Sequence, residues 1–387
     1  MNSRVAMVSY SFYEYDTRVK RYAETLSRRG YKVDFFCLRP DGSKNKEIIN
    51  GVKINRVRKR NFNEKNKYEY LIKLGLFFLT VLFRLSTKPS YKIIHINSVP
   101  DWLVFTAVFQ KIFGAKIILD IHDLTPELYL SKFKTNKESF YYKALLSLEA
   151  WSIKFSDHVI IGNPLWREKL INRGAPPEKC TALINYPPRD LGTNYRNNRK
   201  SPTFDFVYPG TLNYHQGVDL AVKAFEKFSK GKDGNIRFKI YGRGPELTNI
   251  IKLIKDRNLE GVVEYLGYYP SEEALKFMAH ATVGVVSKRA NVFSDEAFSS
   301  KIIEFMGLGV PVIVPKTTID SFFFSVDEVE FFKPNDVESL SYAMERLYIS
   351  QERRKQLGQN GWKWFKKNNW EVKQSIYTDI VERLVSS

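Results

Sequence analysis

The sequence alternates strand-like and helix-like segments twice over, and this alternation limits the fold more than any other feature of the chain. In residues 1–187 we predict strands at 4–9, 33–37, 93–96, 116–121 and 158–161, with helices at about 17–29, 68–86, 100–113, 139–155 and 164–173. In residues 203–362 we predict strands at 205–209, 237–241, 262–266, 282–286 and 310–314, with helices at about 217–229, 245–257, 271–278, 300–307 and 336–349. Such alternation favours parallel sheets covered by helices. We therefore expect an α/β protein with two doubly wound domains.

Two further segments complete the predicted domain organisation. Residues 188–202 belong to a stretch rich in proline, asparagine and charge, which is the composition of a linker. The tail from 351 onward is helical in pattern, and we expect residues 363–387 to return to the first domain. Its apolar anchors are Trp362, Trp364, Phe365 and Trp370. Because ligands of doubly wound sheets bind beyond the carboxyl ends of the strands, we expect a site in a cleft where the two sheets face each other.

The composition is that of a globular protein long enough for two hydrophobic cores. Of 387 residues, 43% are hydrophobic and 27% are charged. The two cysteines, Cys37 and Cys180, have no metal-like spacing and predict isolated thiols in a reducing compartment. The first residues run directly into a strand pattern without a cleavable signal, so we expect a cytoplasmic protein.

The formal net charge of +19 is placed unevenly along the chain. Residues 1–190 hold 33 Lys and Arg against 18 Asp and Glu, whereas the remaining residues hold 28 against 24. A basic first half indicates a polyanionic partner. Nucleic acid and an anionic membrane surface are both candidates on charge alone.

The apolar segment 71–86 bears on that choice. Its uncharged run, 74–83, is shorter than the about 20 residues that span a bilayer. Lys73 and Arg84 are eleven residues apart and so fall on one side of a helix. A basic cluster lies just upstream, at Lys53, Arg56, Arg58, Lys59 and Arg60. Such a helix could lie on an anionic leaflet, or it could be a core helix of an α/β domain, and the two interpretations are compatible.

The segment 296–314 combines chemistry that suits a sugar nucleotide. Glu296 and Glu304 stand eight residues apart, and Lys301 lies between them at a predicted loop–helix junction. Helix N-termini bind anions through N–H groups that have no helical partner. An ionised carboxylate accepts strong hydrogen bonds from paired hydroxyls such as those of a ribose. An ordinary amphipathic helix with solvated charges is the alternative for this segment taken alone.

Seven segments together resemble the large retaining family 4 of the GT-B glycosyltransferases, over nearly the whole chain. In the second domain they are YPGTLNYHQGVDLAVKAF (208–225), IYGRGPE (240–246), YLGYYPSEEALKFMAHATVGVVS (265–287) and EAFSSKIIEFMGLGVPVIV (296–314). In the first domain DTRVKRYAETLSRRGYKVDFF (16–36), HINSVPDWLVFTA (95–107) and DIHDLTPE (120–127) resemble bacterial members that build surface polysaccharides. The resemblance implies a GT-B fold of two Rossmann-like domains that face each other across a cleft.

The resemblance also implies roles for individual residues. Glu304 would bind the donor ribose and Glu296 the donor sugar hydroxyls. Lys301 would hold the donor diphosphate together with the N–H groups of the turn at Ser299 and Ser300. His122, within the run from Asp120 to Asp123, would point toward the transferred sugar. The turn under the nucleotide base would be formed by Gly242, Arg243 and Gly244.

The chain departs from the family pattern in two places. After Gly210 the family usually has an arginine, and a lysine precedes the next glycine; here these positions are Thr211 and Gln216. The cations that could compensate on the diphosphate are Lys301, Arg243, Lys288, Arg289 and His215. The glycine pair that often follows the first strand is also absent, and Asp16 and Arg18, which follow that strand, could contact acceptor or phosphate.

The expected reaction moves a sugar from a nucleoside diphosphate to a hydroxyl of a glycan or polyprenyl-diphosphate-linked acceptor, with retention. It would serve exopolysaccharide, capsule or lipopolysaccharide assembly at the inner face of the plasma membrane. No Asp-x-Asp metal motif is present in the sequence, so we expect catalysis without a metal or another cofactor. Preorganised cations and helix N-termini would stabilise the leaving diphosphate, and this phosphate would help to deprotonate the acceptor.

Two other functions are weighed against this one. A sugar-nucleotide epimerase on the same scaffold would need acid–base carboxylates and histidines in the cleft, and the chain has only five histidines. A basic, non-catalytic protein that binds nucleic acid or membrane would account for the charge. Nucleic-acid binders usually interleave aromatic and basic residues, but the basic cluster at 53–60 contains no aromatic residue, so we expect no nucleic-acid partner.

Overall fold

The computed structural model describes residues 3–60, 67–88, 90–133, 135–191, 202–232 and 235–387, which fall into two compact units. The first unit comprises Met1–Asn185 and Gln374–Ser387, and the second comprises Tyr186–Lys373. Each unit contains one sheet of mainly parallel strands with helices between them. The predicted α/β class with two doubly wound domains is confirmed. Most of the predicted linker, residues 192–201, lies outside the described residues.

The sheet of the first unit has its switch point between two central strands. Its strands are β1 (Arg4–Ser9), β2 (Lys32–Arg39), β3 (Lys46–Ile49), β4 (Val52–Lys59), β5 (Ile93–Asn97), β6 (Lys116–Ile121), β7 (His158–Ile161) and β8 (Cys180–Ala182). They lie in the order β3-β4-β2-β1-β5-β6-β7-β8, and only the β3–β4 pair is antiparallel. The chain moves from β1 toward one edge and later from β5 toward the other. The carboxyl ends of β1 and β5 therefore flank the place where such sheets bind ligands.

Helices connect these strands. They are α1 (Thr17–Arg28), α2 (Lys67–Ser86), α3 (Val108–Ile112), α4 (Thr125–Phe133), α5 (Phe140–Phe155) and α6 (Pro164–Asn172). Two 3-10 helices, Asp101–Ala107 and Pro177–Lys179, precede α3 and β8. The Asp16 carboxylate caps α1 by accepting from the Val19 N–H, and Asn163 caps α6 through the Trp166 N–H.

The second unit repeats the arrangement with fewer strands. Its strands are β9 (Phe204–Pro209), β10 (Ile236–Tyr241), β11 (Val263–Tyr265), β12 (Val283–Val285), β13 (Val312–Pro315) and β14 (Glu330–Phe332). All pairs are parallel, in the order β11-β10-β9-β12-β13-β14. The switch point here lies between β9 and β12. A core of buried aliphatic and aromatic side chains, Phe206, Phe225 and Phe238 among them, packs on this sheet.

The helices of the second unit begin with α7, and the last of them ends in the first unit. They are α7 (Val218–Ser229), α8 (Leu247–Asp256), α9 (Ser271–His280), α10 (Ser300–Leu308), α11 (Thr318–Phe323), α12 (Val337–Ile349), α13 (Gln351–Lys367) and α14 (Trp370–Ser386). Helix α13 packs against α10. The chain passes back to the first unit at Gln374, within α14, whereas the prediction had the returning segment begin at residue 363.

Several short elements were not predicted, and β4 shows why. Four of its residues are basic and belong, with Arg60, to the cluster that we placed beside a possible membrane-surface helix. In the structure these residues lie on β4 or directly after it, and the Arg56 side chain is 1% exposed and forms ion pairs with Glu14 and Glu47. A strand of alternating charge can therefore be half-buried when its inward-facing cation finds carboxylates.

The helix predicted at 100–113 is divided in the structure: its first half is a 3-10 helix and its second half is α3. Cys37 and Cys180 are both buried free thiols. Among the residues that the structure describes, no helix has both the length and the hydropathy that a membrane span requires.

Candidate functional site

In the second unit, three loops meet at the carboxyl ends of strands next to the switch point. They follow β9 at Gly210, β10 at Gly242 and β12 at Ser287. The Gly210 N–H donates to the Tyr241 carbonyl at 2.9 Å, and the Ser287 hydroxyl donates to the Gln216 carbonyl at 3.0 Å. These bonds join the three loops into one surface at the position where a doubly wound sheet binds its ligand.

Glycines make this close approach possible. Gly210 has a φ of 127° and Gly242 has a φ of 143°. Residues other than glycine rarely adopt this region of backbone conformation. A Cβ atom on Gly242 would lie 1.6 Å from the Gly210 carbonyl oxygen, and one on Gly244 would lie 2.4 Å from the Leu212 carbonyl oxygen. Residues 242–244, predicted to form the turn under the nucleotide base, therefore lie directly against the loop after β9. Arg243 is exposed, with its guanidinium 4.1 Å from the centre of the Tyr268 ring.

Helix α10 begins at this surface with its first N–H groups uncapped by a side chain. Ser299 is the N-cap residue, and its side chain makes no capping hydrogen bond. The N–H groups at the start of the helix can therefore donate to a ligand. Ser300 and Lys301 form the first turn. The Lys301 side chain crosses Gly210 so closely that a Cβ on that glycine would lie 2.2 Å from the Lys301 Cε atom. A helix N-terminus and an ammonium group thus occur together, which is the chemistry of an anion site.

The charge of Lys301 is held in a desolvated position. Its Nζ atom donates to the Gln216 Oε1 atom at 3.3 Å and lies 5.8 Å from the centre of the Tyr208 ring. Burial lowers the pKa of Lys301, and the nearby Glu304 carboxylate opposes this effect. A dianionic ligand would restore the solvation that this ammonium group lacks. Gln216 therefore places an amide against Lys301 at the position where the family usually has a second lysine.

The two predicted carboxylates flank the start of α10. Glu304 lies one helical turn after Lys301, and Glu296 lies in the turn before the helix; both are half-buried. Side chains three residues apart share one face of a helix, so Glu304 and Lys301 project to the same side. Thr211 is exposed at the loop after β9, where its carbonyl accepts from the Tyr208 hydroxyl at 2.8 Å.

Two of the cations proposed as replacements are already paired with carboxylates. Lys288 is buried and donates to Asp320 at 2.9 Å and to the Ala297 carbonyl at 2.6 Å. Arg289 contacts Asp219 at 2.7 Å and stacks over Tyr214. They hold the loop after β12 in place.

His215 is the remaining candidate from that set. Burial, and then the charge of Lys301, lower the pKa of His215, so the imidazole is neutral at pH 7. Lys301 is therefore the cation that the structure places at the start of α10, while Arg243 lies at the neighbouring turn.

In the first unit, His122 follows the carboxyl end of β6 and is oriented by a buried carboxylate. Its Nε2 atom lies 3.1 Å from the Asp120 Oδ2 atom. Because a carboxylate only accepts, Nε2 carries the proton in neutral His122 and Nδ1 is left as the basic nitrogen. The His122 side chain is 21% exposed, whereas Asp120 is fully buried.

Arg18 holds this carboxylate from the other side. It donates to both Asp120 oxygens, at 2.6 and 3.1 Å, and to the Leu183 carbonyl at 3.2 Å. Burial alone would raise the pKa of Asp120, but Arg18 and His122 outweigh it and hold that pKa at about 2. We expected Arg18 to contact acceptor or phosphate; the structure buries it in this ion pair, where it positions His122 through Asp120. Asp16, expected beside it, is the cap of α1.

The last helix reaches the same network. The Tyr377 hydroxyl lies 2.9 Å from His95 Nδ1, and His95 Nε2 lies 4.0 Å from Asp120. Tyr377 also stacks on Tyr22, whose hydroxyl accepts from Arg18 at 3.2 Å. Burial lowers the pKa of His95 to about 4, so this histidine is neutral. Residues of α1, β5 and α14 therefore surround the carboxylate behind His122.

One buried carboxyl near His122 was missed from the sequence. Asp101 starts the 3-10 helix after β5, is 5% exposed, and has one oxygen without a hydrogen-bond partner among the described residues. Burial raises the pKa of Asp101 to about 6 and also raises the pKa of the neighbouring Asp123. The signal was available, because Asp101 follows a predicted strand at the edge that also carries His122. Within the described part of the chain, no group of three or more His, Cys, Asp or Glu side chains is arranged to hold a metal ion.

Two family models match the chain. The model described as Glycosyltransferase Family 4 matches residues 16–185, and the model described as Glycosyl transferases group 1 matches residues 194–364. One match lies on each side of the linker, and together they span most of both units. The chain belongs to the family 4 type of GT-B glycosyltransferases. The resemblance of the seven sequence segments is thereby confirmed at the level of family and fold.

Individual relatives agree with this assignment. The O-antigen biosynthesis glycosyltransferase WclY of Escherichia coli is 26% identical over 281 residues, which cover 68% of this chain and 72% of that protein. The amylovoran biosynthesis glycosyltransferase AmsK of Erwinia amylovora is 25% identical over 151 residues, covering 38% of this chain and 37% of that protein. The chain covers only 18% to 37% of the length of the first curated relatives that it matches.

A solved structure shows the same fold over the whole chain. Anabaena HepE, crystallised in complex with UDP and glucose, superposes with a TM-score of 0.73 at 14% identity. The superposition covers 98% of this chain and 100% of that chain. At this level of identity the likeness establishes the fold.

Proposed function

We propose that this glycosyltransferase moves a sugar from a nucleoside diphosphate to a hydroxyl group and retains the anomeric configuration. The observation that carries the proposal is the start of α10, where uncapped N–H groups, Lys301 and two carboxylates lie beside the glycine turns at a sheet switch point. The cation and the N–H groups suit a diphosphate, and Glu304 and Glu296 suit the hydroxyls of ribose and sugar. HepE, which shares the fold, is a protein crystallised with UDP and glucose.

Lys301 has the central role in this mechanism. As the bond between sugar and diphosphate breaks, negative charge grows on the departing phosphate. In this proposal the departing phosphate lies at the Lys301 ammonium and the start of α10, which stabilise the charge without reorganisation. On the retaining path we propose, the departing phosphate oxygen accepts the proton of the acceptor hydroxyl on the same face of the sugar.

His122 is proposed to contact the transferred sugar. Its proton on Nε2 is held by Asp120, which in turn is held by Arg18, so the imidazole keeps one orientation during turnover. Asp123 follows it in the chain and is half-buried, and we assign its carboxyl group to accept from an acceptor or sugar hydroxyl, whereas Asp101 is buried beside them.

No metal or other cofactor is required in this proposal. The positive charge that a divalent ion would supply to the diphosphate is assigned to Lys301 and the start of α10. The test is turnover in the presence of EDTA.

The acceptor is proposed to be a glycan or a polyprenyl-diphosphate-linked oligosaccharide at the inner face of the plasma membrane. Three observations support this: the basic first half of the chain, the exposed apolar side chains of α2, and relatives named for O-antigen and amylovoran biosynthesis. Exopolysaccharide, capsule or lipopolysaccharide assembly is the corresponding process.

The experiment is to incubate the full chain with nucleotide sugars and an oligosaccharide-lipid extract, with EDTA and without it. We expect release of the nucleoside diphosphate, equal rates with and without EDTA, and a product whose anomeric configuration by NMR matches that of the donor. An inverted product would refute retention, and loss of turnover in EDTA would refute metal independence. Conversion of the sugar nucleotide to its epimer without release of the diphosphate would instead show an epimerase.

A further inference from the structure

Helix α2 is apolar on two opposite faces, and only one of them is needed by the core. Leu74, Phe77, Val81 and Leu85 form the buried face, with each side chain no more than 2% exposed. At 100° per residue, the side chains at positions 72, 76, 79 and 83 lie on the opposite face. Those side chains are Ile72, Leu76, Leu79 and Phe83, and they are between 42% and 68% exposed.

The neighbouring helix α3 extends this exposed surface. Gln110 of α3 is buried and donates to the Leu85 carbonyl at 2.7 Å, which ties α3 to the last turn of α2. Phe109 and Ile112 of α3 share one side of the helix, and Phe113 is its C-cap; the three side chains are 46%, 73% and 74% exposed. We call the seven exposed side chains of both helices the apolar face. Exposed apolar side chains in this number on two neighbouring helices are typical of a surface that binds something.

Basic side chains border the apolar face along one side of α2. Lys73 and Arg84 are on the same side of the helix, as the spacing predicted, and Thr80 lies between them. Arg58 of β4 donates to the Thr80 hydroxyl at 3.0 Å, so a third cation lies on this side. Lys73 is paired with Glu69 at the surface, and such pairs are weak in water.

This combination of chemistry selects the partner. Bulky apolar side chains in a plane with a basic border suit the interface of an anionic bilayer, where the side chains enter the acyl region and the cations meet headgroup phosphates. A second copy of the chain suits it less well, because a two-fold contact through the apolar face would bring one basic border toward the other. The excess of cations in the first 190 residues favours the anionic surface further.

We propose that the apolar face and its basic border are the surface by which the protein lies on an anionic phospholipid membrane. The two interpretations of segment 71–86 then both hold, one for each face of α2. The proposal deepens the function proposed above and rests on it only for the lipid-linked acceptor.

Flotation of the full chain with vesicles tests this surface. We expect binding to vesicles of phosphatidylcholine mixed with phosphatidylglycerol, little binding to phosphatidylcholine alone, and loss of binding as salt rises. The double variant Leu79→Gln/Phe83→Gln should reduce partition at least tenfold, because two side chains lose their apolar burial. Arg58→Gln/Arg84→Gln should weaken binding and reduce its salt dependence.

The matched control is Tyr342→Gln/Ile349→Gln on α12 of the second unit. These residues are 64% and 69% exposed, close to the 59% and 68% of Leu79 and Phe83, so the control removes equal apolar surface elsewhere. Its partition should equal that of the wild type. Because all four side chains are exposed, the substitutions leave the cores intact, and an unchanged melting temperature checks this.

A separate variant reports on depth. Phe83→Trp should be quenched by phosphatidylglycerol with brominated acyl chains to a greater degree than the wild-type protein. The proposal would be overturned if the Leu79→Gln/Phe83→Gln variant bound the vesicles as strongly as the wild type does. A wild-type dimer in light scattering that this variant converts to a monomer would also overturn it, since the apolar face would then join two copies.

Nucleotide binding measured without vesicles separates the two proposals. If the Leu79→Gln/Phe83→Gln variant loses membrane binding but still binds nucleotide, the apolar face acts in membrane binding and not in nucleotide binding. A wild type that floats with vesicles but binds no nucleoside diphosphate would refute the proposed reaction and leave the membrane surface standing.

Discussion

Replacing Lys301 with alanine tests the proposed diphosphate site most sharply. The two positions where the family usually places cations are Thr211 and Gln216, and Lys288 is paired with Asp320. Lys301 therefore supplies the positive charge at the start of α10. Loss of one preorganised donor to a developing anion typically lowers kcat by about 10²–10³, or about 2.7–4 kcal/mol. We expect Lys301→Ala to lose at least about a hundredfold in turnover.

Stability should change in the opposite direction. Burial lowers the pKa of Lys301, which means that the folded chain without ligand disfavours this charge. The variant should therefore unfold at the same temperature as the wild type or at a higher one, as expected of a residue kept for function. The assay is the initial rate of nucleoside diphosphate release, with Lys252→Ala on the exposed side of α8 as the control. A near-normal rate for Lys301→Ala, or a loss of stability that accounts for the lost rate, would refute the reasoning.

Three further variants test other parts of the account. Gly210→Ala would place a Cβ 2.2 Å from Lys301 Cε at a φ of 127°, so nucleotide affinity by calorimetry should fall at least about tenfold while an Ala substitution at the open Gly261 should not matter. Asp120→Asn leaves the buried Arg18 without its anion and should cost about 3–5 kcal/mol in urea unfolding; an unchanged midpoint would contradict the pairing. The Asp101 pKa is raised by burial from 3.8 to about 6, so its stabilising effect is present below 3.8 and is lost as pH rises through 6. Between pH 3.8 and about 6, the free energy of unfolding of the wild type should therefore fall by on the order of 2–3 kcal/mol more than that of Asp101→Asn. Equal falls in the two proteins would show that Asp101 is not buried as described.

The sequence predicted the elements whose pattern is long and regular. β1, β9 and α10 were found because an apolar run or a helical period is carried by consecutive residues. β4 was missed because its alternation joins apolar residues with arginine and lysine, and the burial of Arg56 depends on Glu14 and Glu47, which come from other elements. Local patterns thus predict an element when its burial is apolar, and they fail when burial depends on ion pairs with distant residues.

The candidate site divides in the same way. The turn at 242–244 and the group around α10 could be predicted, because their residues are close in sequence or belong to one motif. The partner of Arg18 could not, since Asp120 lies 102 residues away and Arg18 is equally suited to a ligand phosphate. The contact of Tyr377 with His95 spans 282 residues and had no local signal. Asp101 had a local signal, its place in the loop region that follows β5, but its burial follows from the sheet order.

A nucleotide screen is the most direct test of the central claim that the start of α10 binds a nucleoside diphosphate. The measurement is the thermal unfolding of the wild-type chain with UDP, GDP, CMP, dTDP and their common sugar conjugates, with EDTA and no added metal. A ligand at a hundred times its dissociation constant adds about 2.7 kcal/mol, which is readily detected. The account predicts a clear rise in melting temperature with one nucleoside diphosphate and its sugar conjugate, and loss of that rise in Lys301→Ala. No rise with any of these nucleotides would contradict it.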